Sequence, residues 1–126
     1  SALKMSSLLS SDVDYINAHG TSTQIGDDIE LKAIMKLFDQ NKKIKISSTK
    51  SSIGHLLGAA GSVEAIFTIL AIKNNIAPAT LNLENPSNDY DIDLVPMNPK
   101  ETNINIALSN SFGFGGTNTA LLFKNF

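Results

Sequence analysis

A chain of 126 residues with 42% hydrophobic and 17% charged residues has the size and balance of one globular domain. The net charge of −2 gives no basic surface for nucleic acid, and Lys42, Lys43 and Lys45 read as a solvated loop. The absence of cysteine excludes disulfides and thiolate metal sites, and the two histidines lack the spacing of an HExxH metal motif. No stretch holds roughly 18 uninterrupted apolar residues, as a membrane span would require. The opening SALKMSSLLSS lacks the apolar core of a signal peptide, so the expected location is the cytoplasm.

In chain order, ALKMSSLLSS reads as the end of a helix. VDYINAHG follows, with β-branched and alternating residues that predict a strand over Val13 to Asn17 running into a loop at His19. In GDDIELKAIMKLFDQ, Asp27, Asp28 and Glu30 suit the positive end of a helix dipole. Ile29, Ala33, Ile34, Leu37 and Phe38 are spaced as one apolar stripe. KIKISST alternates and predicts a second strand over Ile44 to Ser48. AAGSVEAIFTILAIKNN predicts a helix from Gly61 to Lys73, apolar nearly all round and so expected to be buried on most sides, ended by Asn74, Asn75 and Pro78. LNLENPSNDYDIDLVPMNPKETN is rich in proline and turn formers and reads as surface loop with room for a short strand. NIALSNSF and TNTALLFKNF are strands joined by GFGG, as a hairpin or as neighbours. The order β-α-β-α-loop-β-β predicts an α/β domain. Its sheet would be mixed but mainly parallel, with helices packed on it and the last strand antiparallel.

The residues able to carry chemistry collect at strand ends, where ligands bind in open α/β sheets. His19 ends the first strand in NAHGTST, and His55 stands in SIGHLLGAAG ahead of the apolar helix. Each neighbours a glycine, Gly20 or Gly54, and hydroxyl residues crowd both places. A histidine there can serve as acid, base or hydrogen-bond donor, or simply cap a loop. Glu64 is the one ionisable residue between His55 and Lys73. Buried unpaired it would be costly, so it calls for a cation, with Lys50 on the loop before the helix as the candidate and a bound metal ion or an exposed face as the alternatives. GHLLGAAGS has neither the phosphate-loop nor the dinucleotide-binding order of glycines, and GFGGTN fails likewise. On composition the latter reads as a tight turn; functionally, Gly113, Gly115 and Gly116 would let Phe112 and Phe114 move and a backbone N–H face a site.

VDYINAHGTST, STKSSIGHLLGAAG, PATLNLENP and SNSFGFGGTN, in this order, resemble the C-terminal part of the elongating β-ketoacyl-[acyl-carrier-protein] synthases of type II. The resemblance runs from about Ala2 to the end of the chain. Polyketide ketosynthase domains are similar too, but more often read HGTGT and KSNIGH where this chain reads HGTST and KSSIGH. The resemblance implies the C-terminal half of a thiolase fold, residues 1–126, without its first strand and part of its first helix. It also implies an acyltransferase of fatty acid biosynthesis. An acyl group rides as a thioester on a cysteine, malonyl-carrier protein is decarboxylated, and the carbanion attacks the thioester to give a 3-oxoacyl product. His19 and His55 match the histidines of the family's Cys-His-His site, Lys50 its lysine and Glu64 the glutamate paired with that lysine. The N–H of Phe114 matches half of the oxyanion hole, and Phe112, Gly113, Gly115 and Gly116 the gating loop. Thr21 and Thr23 match hydroxyls that hold the pantetheine arm. Asn17, Ala18, Glu64, Ser109 and Asn110 match a monovalent-cation site.

The resemblance implies no resident cofactor, because phosphopantetheine arrives on the acyl carrier protein. Its implied partners are that carrier, the missing half with the cysteine, and a second copy in a homodimer. Nucleic acid and membrane are not among them. Without a thiol no acyl-enzyme can form, so this polypeptide alone is expected to be inactive. The competing reading is a non-catalytic binding module.

Overall fold

The computed structural model describes residues 1–86 and 91–126; the part of the expected loop over 87–90 lies outside the described residues. One helical turn, α1 (Ala2–Met5), and a 3-10 turn at Ser10–Asp12 lead into β1 (Tyr15–Asn17). Then come α2 (Gln24–Phe38), β2 (Lys45–Ser47), the short α3 (Lys50–Ile53) and α4 (Ala60–Asn74). Two-residue strands β3 (Ile76–Ala77) and β4 (Lys100–Glu101) precede β5 (Ile106–Phe112) and β6 (Asn118–Lys124).

The main sheet has the order β2-β1-β5-β6. Its first three strands are parallel and β6 returns antiparallel to β5, as the sequence order requires. β1 is buried along its whole length because helices cover both of its faces. Side chains alternate between the two layers. Ile16 joins Val13, Ile34, Phe38, Ile46 and Leu108 under α2. Tyr15 joins Ala71, Ile72, Val95, Ile104 and Ala107 under α4. Each large apolar side chain buried this way contributes roughly 1.5–3 kcal/mol.

Two expected helix faces need correction. α2 starts at Gln24, and its buried residues are Glu30, Ile34 and Phe38, whereas Ile29 (60% exposed) and Leu37 (55%) face outward. The buried row recurs every fourth residue from Glu30, and a one-residue offset turns a side chain by about 100° around the axis. α4 is not buried on most sides. Glu64, Thr68, Ala71 and Ile72 face the sheet, while Ile66 (56%), Ile69 and Leu70 are exposed. An all-round apolar helix carries no facing signal, and only one side meets this sheet.

Among the described residues, Leu57–Asn74 is long and apolar enough to cross a membrane by length and composition alone. Its buried Glu64 and Thr68, with Ala71 and Ile72, pack one side of it against the sheet. Asn75 ends it in the left-handed region at φ 53°, and its side chain accepts the Ile104 N–H at 2.9 Å. The stretch read as loop contains β4, antiparallel to β3, and the fully buried Val95.

Candidate active site

The parallel register sets Asn17 beside Ser47 on one side and beside Ser109 on the other. The residues that follow these strands therefore meet at one edge of the sheet, as do Asn110 to Phe112 on the longer β5. His19 comes from the end of β1, Lys50 from the start of α3, Phe112 from the end of β5, and Glu64 reaches in from α4.

His19 is half-buried and held from several sides. Its own N–H and that of Gly20 each donate to a separate oxygen of the Glu30 carboxylate, both at 2.9 Å. Asn110 donates to the same carboxylate at 3.3 Å, tying the loop to β5. Ser48 Oγ donates to the Gly20 carbonyl at 2.7 Å. Gly20 has φ +34°, and a Cβ there would lie 2.7 Å from Ser48 Cβ, so this close approach requires glycine. The imidazole Nδ1 accepts the Phe112 N–H at 3.3 Å and faces Lys50 Nζ at 3.5 Å. The Phe112 ring lies tilted against it, with centroids 5.3 Å apart.

Lys50 and Glu64 form a buried ion pair through Lys50 Nζ and Glu64 Oε1, with the residues 7% and 2% exposed. The sequence argument that Glu64 needs a cation is met by the cation named for it. Such a pair persists only with close geometry, because both desolvation costs must be offset. Burial first, then the Lys50 charge, holds His19 below the ordinary imidazole range, against the opposite pull of Glu30 and Glu64. His19 is therefore neutral near pH 7.

His55 is exposed. Gly54, at φ +75°, ends α3 and turns the chain toward it. Its Nδ1 accepts the Leu57 N–H at 3.2 Å. The two imidazoles meet edge to face, with centroids 5.6 Å apart and planes at 88°. In each ring Nδ1 is an acceptor, so in each neutral ring the proton sits on Nε2. Two N–H donors on neighbouring rings can share one developing oxyanion.

The glycine-rich segment is the hairpin turn between β5 and β6, closed by Gly113 N–H to the Thr117 carbonyl at 2.8 Å. Gly115 (φ +76°) and Gly116 (φ +82°) turn it, and the Phe114 side chain stands fully in solvent. Its Phe112 end touches His19. Thr21 is half-buried, and Thr23 is exposed at the N-cap of α2, in the loop just past His19.

Asn17, Ala18, Glu64, Ser109 and Asn110 are all buried. A cation there fits in one respect, since Glu64 Oε2 is buried without a hydrogen-bond partner among the described residues. The Asn17 amide does not add to the donor set. Its nitrogen donates to the Glu64 carbonyl and Thr68 Oγ1, and its oxygen accepts from Thr49. The Asn110 nitrogen is spent on Glu30. The Asn110 side-chain oxygen, the Ser109 hydroxyl and main-chain carbonyls of these residues are the other oxygen donors the set offers.

Sequence reasoning placed Glu30 in a first turn and missed its role. The available signal was a carboxylate sharing a helix row with Ile34 and Phe38. It also missed Tyr15, whose buried hydroxyl meets Ser47 Oγ at 2.8 Å. Burial pushes the Tyr15 pKa up, Ser47 opposes this and Glu64 adds to it.

The fold and this strand-end cluster define a ketosynthase-type α/β domain of the thiolase fold. A β-ketoacyl synthase from Burkholderia phymatum superposes with TM-score 0.92 at 38% identity, covering 99% of this chain and 30% of that one. A type II polyketide synthase acyl-carrier protein in complex with its ketosynthase gives TM-score 0.86 at 33% identity, over 99% of this chain and 31% of the other. The family described as "Beta-ketoacyl synthase, C-terminal domain" matches residues 1–84. The chain belongs to that family. It is 60% identical to 3-oxoacyl-[acyl-carrier-protein] synthase 2 of Rhizobium meliloti over 126 residues, 99% of this chain and 30% of the relative. It thus spans about 30% of the length of that relative.

Proposed function

We propose that this chain contributes the decarboxylating half of a 3-oxoacyl-[acyl-carrier-protein] synthase, an acyltransferase of fatty acid biosynthesis. The observation that carries the reading is the pair of imidazoles with both Nδ1 atoms engaged as acceptors and both Nε2 positions left to donate. His19 and His55 donate to the thioester carbonyl oxygen of malonyl-carrier protein. The bond to the carboxylate breaks, its electron pair forms the enolate, and carbon dioxide leaves. The enolate carbon then attacks the acyl thioester held on a cysteine of the complementary part, and the cysteine thiolate departs. Lys50, held in place by Glu64, keeps His19 neutral and oriented, so its proton stays on Nε2. The Phe114 N–H supplies half of the oxyanion hole for the attack, beside the N–H of the cysteine itself. Phe112, Gly113, Gly115 and Gly116 form the gating loop, and Thr21 and Thr23 hold the pantetheine arm.

The partners of this reading are acyl carrier protein, the cysteine-bearing remainder and, for the assembled enzyme, a second copy. No resident organic cofactor is required. A monovalent cation would be held by Glu64 Oε2 and oxygen atoms of Asn17, Ala18, Ser109 and Asn110, where it would give the unpartnered carboxylate oxygen a ligand. We place the reaction in the cytoplasm; the relatives from Arabidopsis thaliana and Schizosaccharomyces pombe are named as mitochondrial. The exposed Ile66, Ile69 and Leu70 row on α4 supports packing of the remainder against that face.

The test mixes this chain with a separately produced cysteine-bearing N-terminal part of a synthase and follows carbon dioxide release from malonyl-carrier protein. Release that vanishes with His19→Ala and with His55→Ala supports the roles given. Release that survives both changes refutes them. The second reading, a non-catalytic module, is favoured by the absence of cysteine from the sequence. Tight association of the two parts without condensation would establish it.

A further inference from the structure

We propose that Asn17 is the positioning residue that sets the Lys50–Glu64 pair against His19, acting through its side-chain amide. Asn17 is 1% exposed and is the last residue of β1, two positions before His19 in the loop that follows. Its Oδ1 accepts from Thr49 Oγ1 at 3.2 Å and from the Thr49 N–H at 3.5 Å. Thr49 is the residue immediately before Lys50. Asn17 Nδ2 donates to the main-chain carbonyl of Glu64 at 3.2 Å and reaches Thr68 Oγ1 at 3.4 Å. Thr68, fully buried, in turn donates to the same Glu64 carbonyl at 2.7 Å. One amide thus grips the backbone beside the lysine and the backbone of the glutamate.

The chemistry of the group suits this task. The contacts at one end need an acceptor and those at the other need a donor, and an amide offers both without a charge. A carboxylate would face the Glu64 carbonyl and compete for Lys50. An apolar residue would leave buried Thr49 groups unpaired. The ion pair itself cannot fix the spacing of β1, α3 and α4, because its members come from α3 and α4 only. Asn17 adds β1, the strand that leads into the His19 loop. The inference rests on the reading that Lys50 orients His19, but its test reads Lys50 alone. A negative result therefore leaves the roles of the histidines untouched.

The experiment is trace acetylation of the chain with acetic anhydride, with labelling of each lysine quantified by mass spectrometry. Lys50 is protected in the parent chain relative to the exposed Lys36 and Lys73. Asn17→Leu should raise Lys50 labelling about tenfold relative to those two, the size expected from losing roughly one net hydrogen bond. It should also broaden away the Lys50 ammonium signal in a nitrogen-15 spectrum. Ile44→Val, a fully buried change remote from the pair, should destabilise the fold and leave the Lys50 ratio unchanged. An unchanged ratio in Asn17→Leu, or an equal rise in Ile44→Val, overturns the proposal. If Asn17→Leu does not fold, Thr49→Val and Thr68→Val each cut one arm. A rise in both supports the proposal, and a rise in neither overturns it.

Discussion

His19 and His55 are offered to one site by very different surroundings. His19 is gripped by the Glu30 carboxylate, the Phe112 N–H and ring, and Lys50. His55 stands in solvent between a glycine at φ +75° and Leu56, with one backbone donor to its ring. The first region is built by this chain's own fold, because four separate elements must be in place to form it. The second is a local turn whose geometry follows from a few adjacent residues. Changes around His19 should therefore register in global stability, and changes at His55 should not.

The largest effect is expected from the charges beneath His19. Lys50→Met or Glu64→Gln strands one member of a pair that is 7% and 2% exposed. Each should cost about 3–5 kcal/mol, read as a lower urea midpoint. The double change Lys50→Met with Glu64→Leu should recover most of that loss, since an apolar pair avoids both desolvation costs. A double variant as unstable as the single ones would show that the pair's shape, and not its charge, supports the site.

Next comes the carboxylate that carries the His19 loop. Glu30→Ala leaves the N–H groups of His19 and Gly20 without their acceptor and removes the tie to Asn110. The expected loss is about 1.5–3 kcal/mol, with faster hydrogen exchange at those two amides. Gly20→Ala belongs beside it, because its Cβ would meet Ser48 Cβ at 2.7 Å and neither atom sits on a flexible tip. A cost of about 1–3 kcal/mol is expected from overpacking and strained backbone.

The comparison also sharpens with pH. The folded pKa of His19 is depressed, by burial and then by Lys50. Unfolding therefore takes up a proton as pH falls below the unfolded value of about 6.5. The stability due to this group is fully present above that pH and is lost as pH falls from there toward the folded pKa. The urea midpoint should decline as pH falls below about 6.5, and His19→Gln should flatten the decline. Asp93 is also depressed despite its partial burial, by its bonds to Lys100 and the Val95 N–H, and loses its contribution only in the acid range of carboxylates. A decline that persists unchanged in His19→Gln would move the effect to other groups.

Much of this was legible in the residues because it is local or balances charge. The strands at Tyr15–Asn17 and Lys45–Ser47 follow from β-branched alternation, and the antiparallel return of β6 from the short glycine turn. Glu64 demanded a cation, and Lys50, the lysine on the loop before its helix, is its partner. The glycines beside both histidines marked the turns that present them. Other features depend on what lies opposite in space. Nothing in the spacing of Ile29 and Leu37 says that the row one residue over, through Glu30, is the one facing the sheet. The exposure of Ile66, Ile69 and Leu70 could not be read from a helix that is apolar on every side. The roles of Asn17 and Glu30 rest on bonds to residues far along the chain, such as Thr68 and Asn110.

The smallest stability effect isolates His55. Its side chain is exposed and holds one hydrogen bond, from the Leu57 N–H, within the same turn. His55→Ala should therefore change stability by no more than about 0.5 kcal/mol, as for ordinary surface substitutions. The Leu57 N–H has water to replace the imidazole as acceptor. The same substitution should abolish carbon dioxide release when the chain is combined with its cysteine-bearing complement. His19→Ala, by contrast, should lower both release and the urea midpoint, because the Phe112 N–H and Lys50 lose their acceptor. If His55→Ala unfolds the chain as readily as His19→Ala, the two regions are not independent. The turn after α3 would then be part of the core that holds His19.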